Sequence, residues 1–484
     1  MAALAALVVF RSAVFVFWEQ SHFDSNQAVI GLMAKHLVEG RAFPVFMYGQ
    51  NYQLALEAWL AAPLFALAGP SVTALKLPLL AINVAIVLLL AHVLVREVGL
   101  KPAAAALATV FVALPPPGTA SKLLEASGGT LEPLLYVPLL WFTRRRPAWC
   151  GLVLGVGFVH REFVVYGLAA LLVLAAARHS LFTRDGVRHH AAMLRVAAEV
   201  WLVVQVARQF GSAMGPGTTV ANLPRAGGGF VELASRLCLD LLAVPQGFLH
   251  IATIHWPLLF GTEPHPLHFF RIASDVTQGM TGAGLALGAA MAFAAVRVGA
   301  GVVRGRGWRP EFDFCAYLLL AGFFSVTGYV VGRCGVIEPI RMRYEMLSLL
   351  GAVGLSAWFL ATERSRRAVT AWSVVVVAWA ALSATAHVGL LGRYAADAPV
   401  GGKRMLVRHL EARGIRYGIA TYADAYAISF LSNERIIMSS SNRVRIRPYE
   451  DEVRAHRREA VRVSRRPCEG GERVMDDIYF CPGR

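Results

Sequence analysis

The sequence predicts an all-α polytopic membrane protein of about 11 transmembrane helices, followed by a small C-terminal α/β domain outside the membrane. Three observations predict it. Of 484 residues, 56% are hydrophobic and only 16% charged, against roughly 45–50% and about 25% in a soluble domain. Several apolar runs approach the roughly 20 residues that a helix needs to cross a bilayer. The joints between those runs are short and rich in arginine, whereas the last 92 residues are charged throughout and alternate in β-α-β fashion.

Spanning segments fall near residues 2–18, 76–95, 103–116, 131–142, 147–159, 163–177, 196–209, 281–303, 314–331, 345–361 and 368–391. The segments 131–142 and 147–159 are short for a crossing at 1.5 Å per residue, so tilt, a break or a water-filled cavity is expected there. Arg11, in the middle of the first run, is read as snorkelling to the interface or as a sign of a misplaced start.

Lys and Arg in the joints set the orientation. With the N-terminus cytoplasmic, the inside joints 96–101, 144–146, 178–195, 297–309 and 363–367 carry 16 basic residues in 45 positions. The outside segments 19–72, 115–132, 160–162, 211–280 and 332–344 carry 10 in 158. This arrangement puts the C-terminal domain on the non-cytoplasmic side of the membrane.

The first outer loop carries two juxtamembrane helices. Residues 25–39 place Val29, Leu32, Met33, His36 and Leu37 on one face and stop at Gly40, as suits a helix lying in the interface. The second stretch, 53–69, is apolar enough to cross, but a crossing would turn every later arginine cluster outward. The chain therefore divides into a transmembrane domain, 1–392, and a soluble domain, 393–484. In the latter a helix is expected near 403–412, a strand at 416–421, a helix at 423–431, a strand at 434–439 and weaker strand signals up to Phe480. Cys468 and Cys481, with 12 residues between them, are either a disulfide or two free thiols.

The formal charge of +16 invites a nucleic-acid reading. Its distribution excludes that partner, because many of the arginines sit in short clusters between apolar runs. The six cysteines show no CxxC pattern, and the Gly-rich run 226–229 follows no strand, so neither a zinc site nor a phosphate loop is expected. His250, His255, His265 and His268 share one outer loop without a fixed ligand spacing.

Ionisable groups at membrane depth are costly, roughly 2.5–3.5 kcal/mol each on insertion scales, so those on the outer side draw attention. Asp24 opens the first interfacial helix and with Gln27 makes a capping box; the same carboxylate is placed to act as a general base. Glu125 and Glu132 lie in the second outer loop, where Gly128-Gly129 permits close backbone approach and Glu132-Pro133 opens a helix. His160-Arg161-Glu162 interrupts an apolar run, which predicts a helix break with Arg161 facing a phosphate or carboxylate, or else paired with Glu162 or Glu132. Arg341, Arg343, Tyr344 and Glu345 stand outside against the positive-inside bias, so they anchor at the interface or bind an anionic ligand.

Taken together, the first-loop acid, the amphipathic helix ending in EG, the segment FPVFMYGQNYQLALEAWLAAPLFALAG, the Glu-Pro step and the helix-breaking arginine resemble the GT-C glycosyltransferases. The closest flavour is that of bacterial relatives of protein O-mannosyltransferases and aminoarabinose transferases, strongest over about residues 15–170 and thinner through RMRYE. The tail motif YADAYAISFLSNERIIM is similar to the outer domain of bacterial members. The resemblance implies transfer of a sugar from a polyprenyl-phosphate donor to a protein, glycan or lipid acceptor, with membrane lipids as the other partner. It implies Asp24 and Glu132 as the catalytic acids, and Arg161, His160 and Arg343 near the donor phosphate. Tyr48, Gln50, Tyr52, Glu57, Glu125 and Tyr344 would line the substrate cavity. Asp24 is followed by Ser25 where many relatives carry Asp-Glu, which leaves a divalent metal cofactor open and assigns no metal ligand.

A polyprenyl phosphate is already a good leaving group, so the chemistry needs a base for the incoming hydroxyl or amine and cations for the departing phosphate. One base without a covalent intermediate implies inversion at the anomeric carbon. The alternative is a transporter or flippase of a lipid-linked or anionic solute. Inverted repeats would favour it, and none is seen.

Overall fold

The computed structural model describes residues 1–18, 23–50, 53–127, 131–211, 243–261, 281–304, 309–333, 345–398, 400–475 and 478–481. Ten helices come first: α1 Ala2–Phe17, α2 Ser25–Val38, α3 Leu56–Ala68, α4 Val72–Arg96, α5 Pro102–Ala113, α6 Pro117–Lys122, α7 Glu132–Thr143, α8 Pro147–His160, α9 Val164–Ala177 and α10 Arg184–Phe210. Further along lie α11 Ala243–His250, which continues through a π turn Ile251–His255 into α12 Trp256–Leu259, then α13 Thr281–Val303, α14 Asp313–Arg333, α15 Ser348–Thr362 and α16 Arg366–Ala396.

Five of these helical stretches, α4, α10, α13, α14 with its leading turn and α16, are long and apolar enough to cross a membrane. The best apolar windows of α10 and α13 are only 6% and 17% buried by protein. Apolar surface left bare at that scale is what bilayer lipid covers, so the chain is a multi-pass membrane protein. Helices α1, α3, α5, α8, α9 and α15 are apolar but shorter. The α7 and α8 pair stays short, at 12 and 14 residues, as the sequence reading expects.

Small residues set the closest helix approaches. A Cβ on Gly151 would lie 2.3 Å from the Met193 carbonyl oxygen, and one on Gly155 2.7 Å from Val200 Cβ, so this Gly-x3-Gly spacing seats α8 on α10. Gly354 does the same for α15 against α14, where a Cβ would meet Cys315 O at 2.6 Å. Arg11 does not snorkel. It is wholly buried, its Nη2 donates to Asn83 Oδ1 at 2.5 Å, and Asn83 in turn donates to the Leu123 carbonyl at 2.9 Å. Four helices, α1, α4, α5 and α16, surround α6 and the start of the second loop around this buried group.

The tail folds as expected in outline. Helix α17 spans Gly402–Ala412, β1 Tyr417–Ala420, α18 Tyr422–Leu431 and β2 Ile437–Ser440. Strand β2 starts later than the apolar pattern predicts, because Asn433 and Glu434 take the left-handed conformation at φ 55° and 63° and turn the chain there. The third tail helix, α19 Arg447–Ala455, was not foreseen: Pro448 starts it, and only Tyr449 and Val453 are buried. Strands β3 Val461–Ser464, β4 Glu472–Met475 and β5 Ile478–Cys481 complete a sheet of order β2-β1-β3-β5-β4. Its β2-β1-β3 half is parallel and its β3-β5-β4 half antiparallel. Cys468 and Cys481 are joined by a disulfide with their Cα atoms 5.9 Å apart.

Candidate active site

The site grows from the start of α2. Asp24 is its N-cap: Oδ1 accepts from the Gln27 amide at 3.1 Å and Oδ2 from Asn26 Nδ2 at 2.8 Å. Asn26 Oδ1 accepts from the Tyr422 hydroxyl at 2.8 Å, and Ser25 Oγ accepts from the Ala427 amide at 3.3 Å. The tail helix α18 thus lies along α2, in the same direction. Gly31 makes that possible, since a Cβ there would fall 2.5 Å from the Phe430 ring. Lys403 is drawn in as well: its Nζ donates to the Phe23 carbonyl at 2.8 Å, within electrostatic reach of Asp24. Burial lowers the Lys403 ammonium below its usual range, against the pull of Asp424 and Asp24.

At the far end of α2, one tail carboxylate gathers four donors. Glu434 pairs with Lys35 and Arg41, accepts from His36 Nε2 at 3.1 Å, and accepts from the Tyr449 hydroxyl at 2.7 Å. Although burial opposes it, these hydrogen bonds hold the Glu434 carboxyl far below the ordinary range. The other His36 nitrogen, Nδ1, meets the Tyr48 hydroxyl at 3.1 Å.

The segment after α2 carries the expected cavity residues. Tyr48 is buried. Arg445 Nη1 donates to the Gly49 carbonyl at 3.0 Å, and Gln50, with its amide oxygen toward Arg445, accepts from that guanidinium while donating to Gln53 Oε1 at 3.1 Å. Gln53 Nε2 then donates to the Ser127 carbonyl at 2.9 Å, tying the first loop to the second. Glu57, in the first turn of α3, is 2% exposed.

A second cluster forms where α7 begins and α8 ends. These helices run antiparallel across the short joint 144–146, so Glu132 and His160 come to the same end. The Tyr136 hydroxyl meets His160 Nδ1 at 2.9 Å. The Tyr136 hydroxyl feels both Glu132 and Glu57, and His160 feels Glu132 and Arg161. Arg161 itself is the predicted break: α8 stops at His160, Arg161 is extended at φ −155° and ψ 128°, and α9 starts at Val164. Among the described residues its guanidinium makes no ion pair, its Nε has no hydrogen-bond partner, and Phe163 lies 5.8 Å from its charge centre. Neither Glu162 nor Glu132 is bonded to it. Glu125 is ion-paired to Lys122 at 2.5 Å. Tyr52, Arg341, Arg343, Tyr344, His265, His268 and the runs Gly128-Gly129 and 226–229 lie outside the described residues. Two of the remaining outer-loop groups meet each other, His255 Nδ1 and Glu345 Oε1, at 2.5 Å in a buried pair.

Both Asp24 oxygens face donors, and among the described residues no second carboxylate is bonded beside it. Among the described residues no group of three or more His, Cys, Asp or Glu side chains is placed to hold a metal ion.

No family model matches the sequence, and no curated protein matches it by sequence. Solved structures do match the fold. ArnT from Cupriavidus metallidurans, bound to undecaprenyl phosphate, aligns at TM-score 0.53 and 10% identity over 99% of this chain and 98% of its own. The Archaeoglobus fulgidus oligosaccharyltransferase, solved with Zn and sulfate, aligns at TM-score 0.52 and 11% identity over 95% of this chain and 67% of its own. At 10–11% identity the likeness to these two transferases is one of fold. With ArnT the likeness runs nearly end to end, so the tail domain is part of the shared architecture. Of the residues that the GT-C resemblance marked, the structure places Asp24, Tyr48 and Gln50 against the tail, and Glu57, Glu132, His160 and Arg161 around Tyr136. Sequence reasoning missed Asn26, Tyr136, Lys403, Tyr422 and Arg445. The tail motif was noticed, but nothing in its spacing ties Tyr422 to Asn26, 396 positions away.

Proposed function

We propose that the protein is an inverting membrane glycosyltransferase that moves a sugar from a polyprenyl-phosphate donor to an acceptor at the outer face of the bacterial inner membrane. The carrying observation is the fold shared with ArnT, together with a half-buried aspartate, Asp24, at the start of α2 and Arg161, a guanidinium without an ion pair among the described residues. The neighbour ArnT, solved with undecaprenyl phosphate, supports a donor of that class. Asp24 takes the proton of the attacking hydroxyl or amine. The Asn26 amide and the Gln27 N–H hold the carboxylate in place. Arg161, next to His160, meets the charge that grows on the departing phosphate. Glu132, buried and within electrostatic reach of Tyr136 and His160, orients this pair.

The test is Asp24→Asn. Asparagine still caps a helix, so folding and insertion are retained while the base is lost. Transfer from an undecaprenyl-phosphate-linked sugar is expected to fall by about 10²–10⁴. Normal turnover in that variant removes Asp24 from the role.

A further inference from the structure

We propose that the C-terminal domain supplies a binding subsite for an oxyanion, a phosphoryl group carried by the acceptor, beside Asp24. The inference rests on Asp24 as the base and names the class of substrate that it serves.

Charge balance makes the case first. Four tail cations, Lys403, Arg443, Arg445 and Arg465, gather with Tyr422 and Asp24, and among the described residues the carboxylates that offset them are Asp24 and Asp424. Asp424 is already held by Arg465, through Nε at 2.9 Å and Nη2 at 2.8 Å, with Lys403 at 4.0 Å. That leaves two positive charges in excess.

The placement of the excess points to a ligand. Arg445 is 6% exposed, bonded to the Gly49 carbonyl and to Gln50, and its Nε has no hydrogen-bond partner. A cation so buried, with carbonyl oxygens and the Tyr422 side chain against it and no carboxylate bonded to it among the described residues, is costly unless an anion completes it. Arg443 is exposed, lies 5.3 Å from the Tyr422 ring and makes no ion pair among the described residues. Arg445 lies 5.6 Å from the same ring. Tyr422 reaches Asp24 through Asn26. A phosphoryl group held by Arg443 over Tyr422 would therefore keep a neighbouring hydroxyl or amine next to the base. The amino ends of α2 and α18 both face this spot and add to its positive field.

The full chain in phosphatidylcholine nanodiscs is titrated with inorganic phosphate and, separately, with undecaprenyl phosphate. Arg443→Gln, a surface change, is expected to weaken inorganic phosphate by about tenfold or more while leaving undecaprenyl phosphate unchanged; Arg443→Lys restores part of the loss. Phosphatidylglycerol in the nanodiscs then assigns the source. Competition with phosphate means a membrane-lipid acceptor, and no competition means a soluble phosphorylated one. Phosphate binding unaffected by Arg443→Gln overturns the subsite, as does a loss of undecaprenyl phosphate, which would place Arg443 in the donor site. If undecaprenyl phosphate does not bind the unaltered chain while phosphate binding still needs Arg443, the transferase reading falls and the subsite stands.

Discussion

At the scale of the residue, Arg161 differs from the ion-paired arginines of the helical domain by what it lacks. Arg144 is paired to Glu97, Arg178 to Asp313 and Arg297 to Glu363, whereas Arg161 sits at a helix break with one nitrogen buried and no partner for it. Arg161→Ala is expected to raise the Kd for undecaprenyl phosphate by about tenfold or more, the loss of one charged hydrogen bond, and to change acceptor KM little. Binding isotherms and a kinetic split check both halves, and a change confined to the acceptor would reassign the residue. This position was legible in the sequence because three polar residues cannot all hide on one face of an apolar run. Arg445 was not, since its importance comes from Gly49 and Gln50, which only the fold brings to it. Arg11 misled for the same reason: an arginine in an apolar run reads as snorkelling until Asn83, from another helix, is seen to face it.

At the scale of the element, the docking of α18 along α2 decides where Asp24 points. It is anchored at one end by Tyr422 and Asn26 and at the other by Glu434 with Lys35, His36, Arg41 and Tyr449. Glu434→Gln removes the anion from a group of cations, a change that costs about 3–5 kcal/mol when the pair is buried. Hydrogen exchange is expected to speed up in residues 25–38 and 422–434 and to stay unchanged in α14 and α15. The pH dependence has a definite sign. The Glu434 carboxyl is depressed in the folded chain, so its contribution is fully present above the unfolded value of about 4.3. It is lost as pH falls below that value toward the folded one. Acid titration of the same exchange rates should therefore show the loosening only below about pH 4.3, and Glu434→Gln should abolish that step. The helices themselves were legible from periodicity, whereas their docking was not. It depends on a glycine, Gly31, whose only signal is the absence of a side chain.

At the scale of the whole molecule, hydropathy made α4, α10, α13, α14 and α16 readable as crossing helices, because a bilayer confines the problem to one dimension. The tail was legible as alternating elements, yet its role was not, since it acts on loops some 400 positions earlier. Its disulfide links the two scales. Closing Cys468 to Cys481 restrains a loop of about 15 residues, worth about 3 kcal/mol in the chain-entropy view. Such a bond persists on the oxidising side of a membrane. In intact cells, a membrane-impermeant maleimide is expected to label Cys468 and Cys481 only after a mild reductant, and to leave the buried Cys150 and Cys315 untouched. Reduction should also open the β3-β5-β4 half of the sheet to protease before it affects the helices. Labelling only after the cells are lysed would put the tail in the cytoplasm. Because Asn26 and Ser25 are bonded to that tail, Asp24 would go with it, and the donor would have to be presented from the inner leaflet instead.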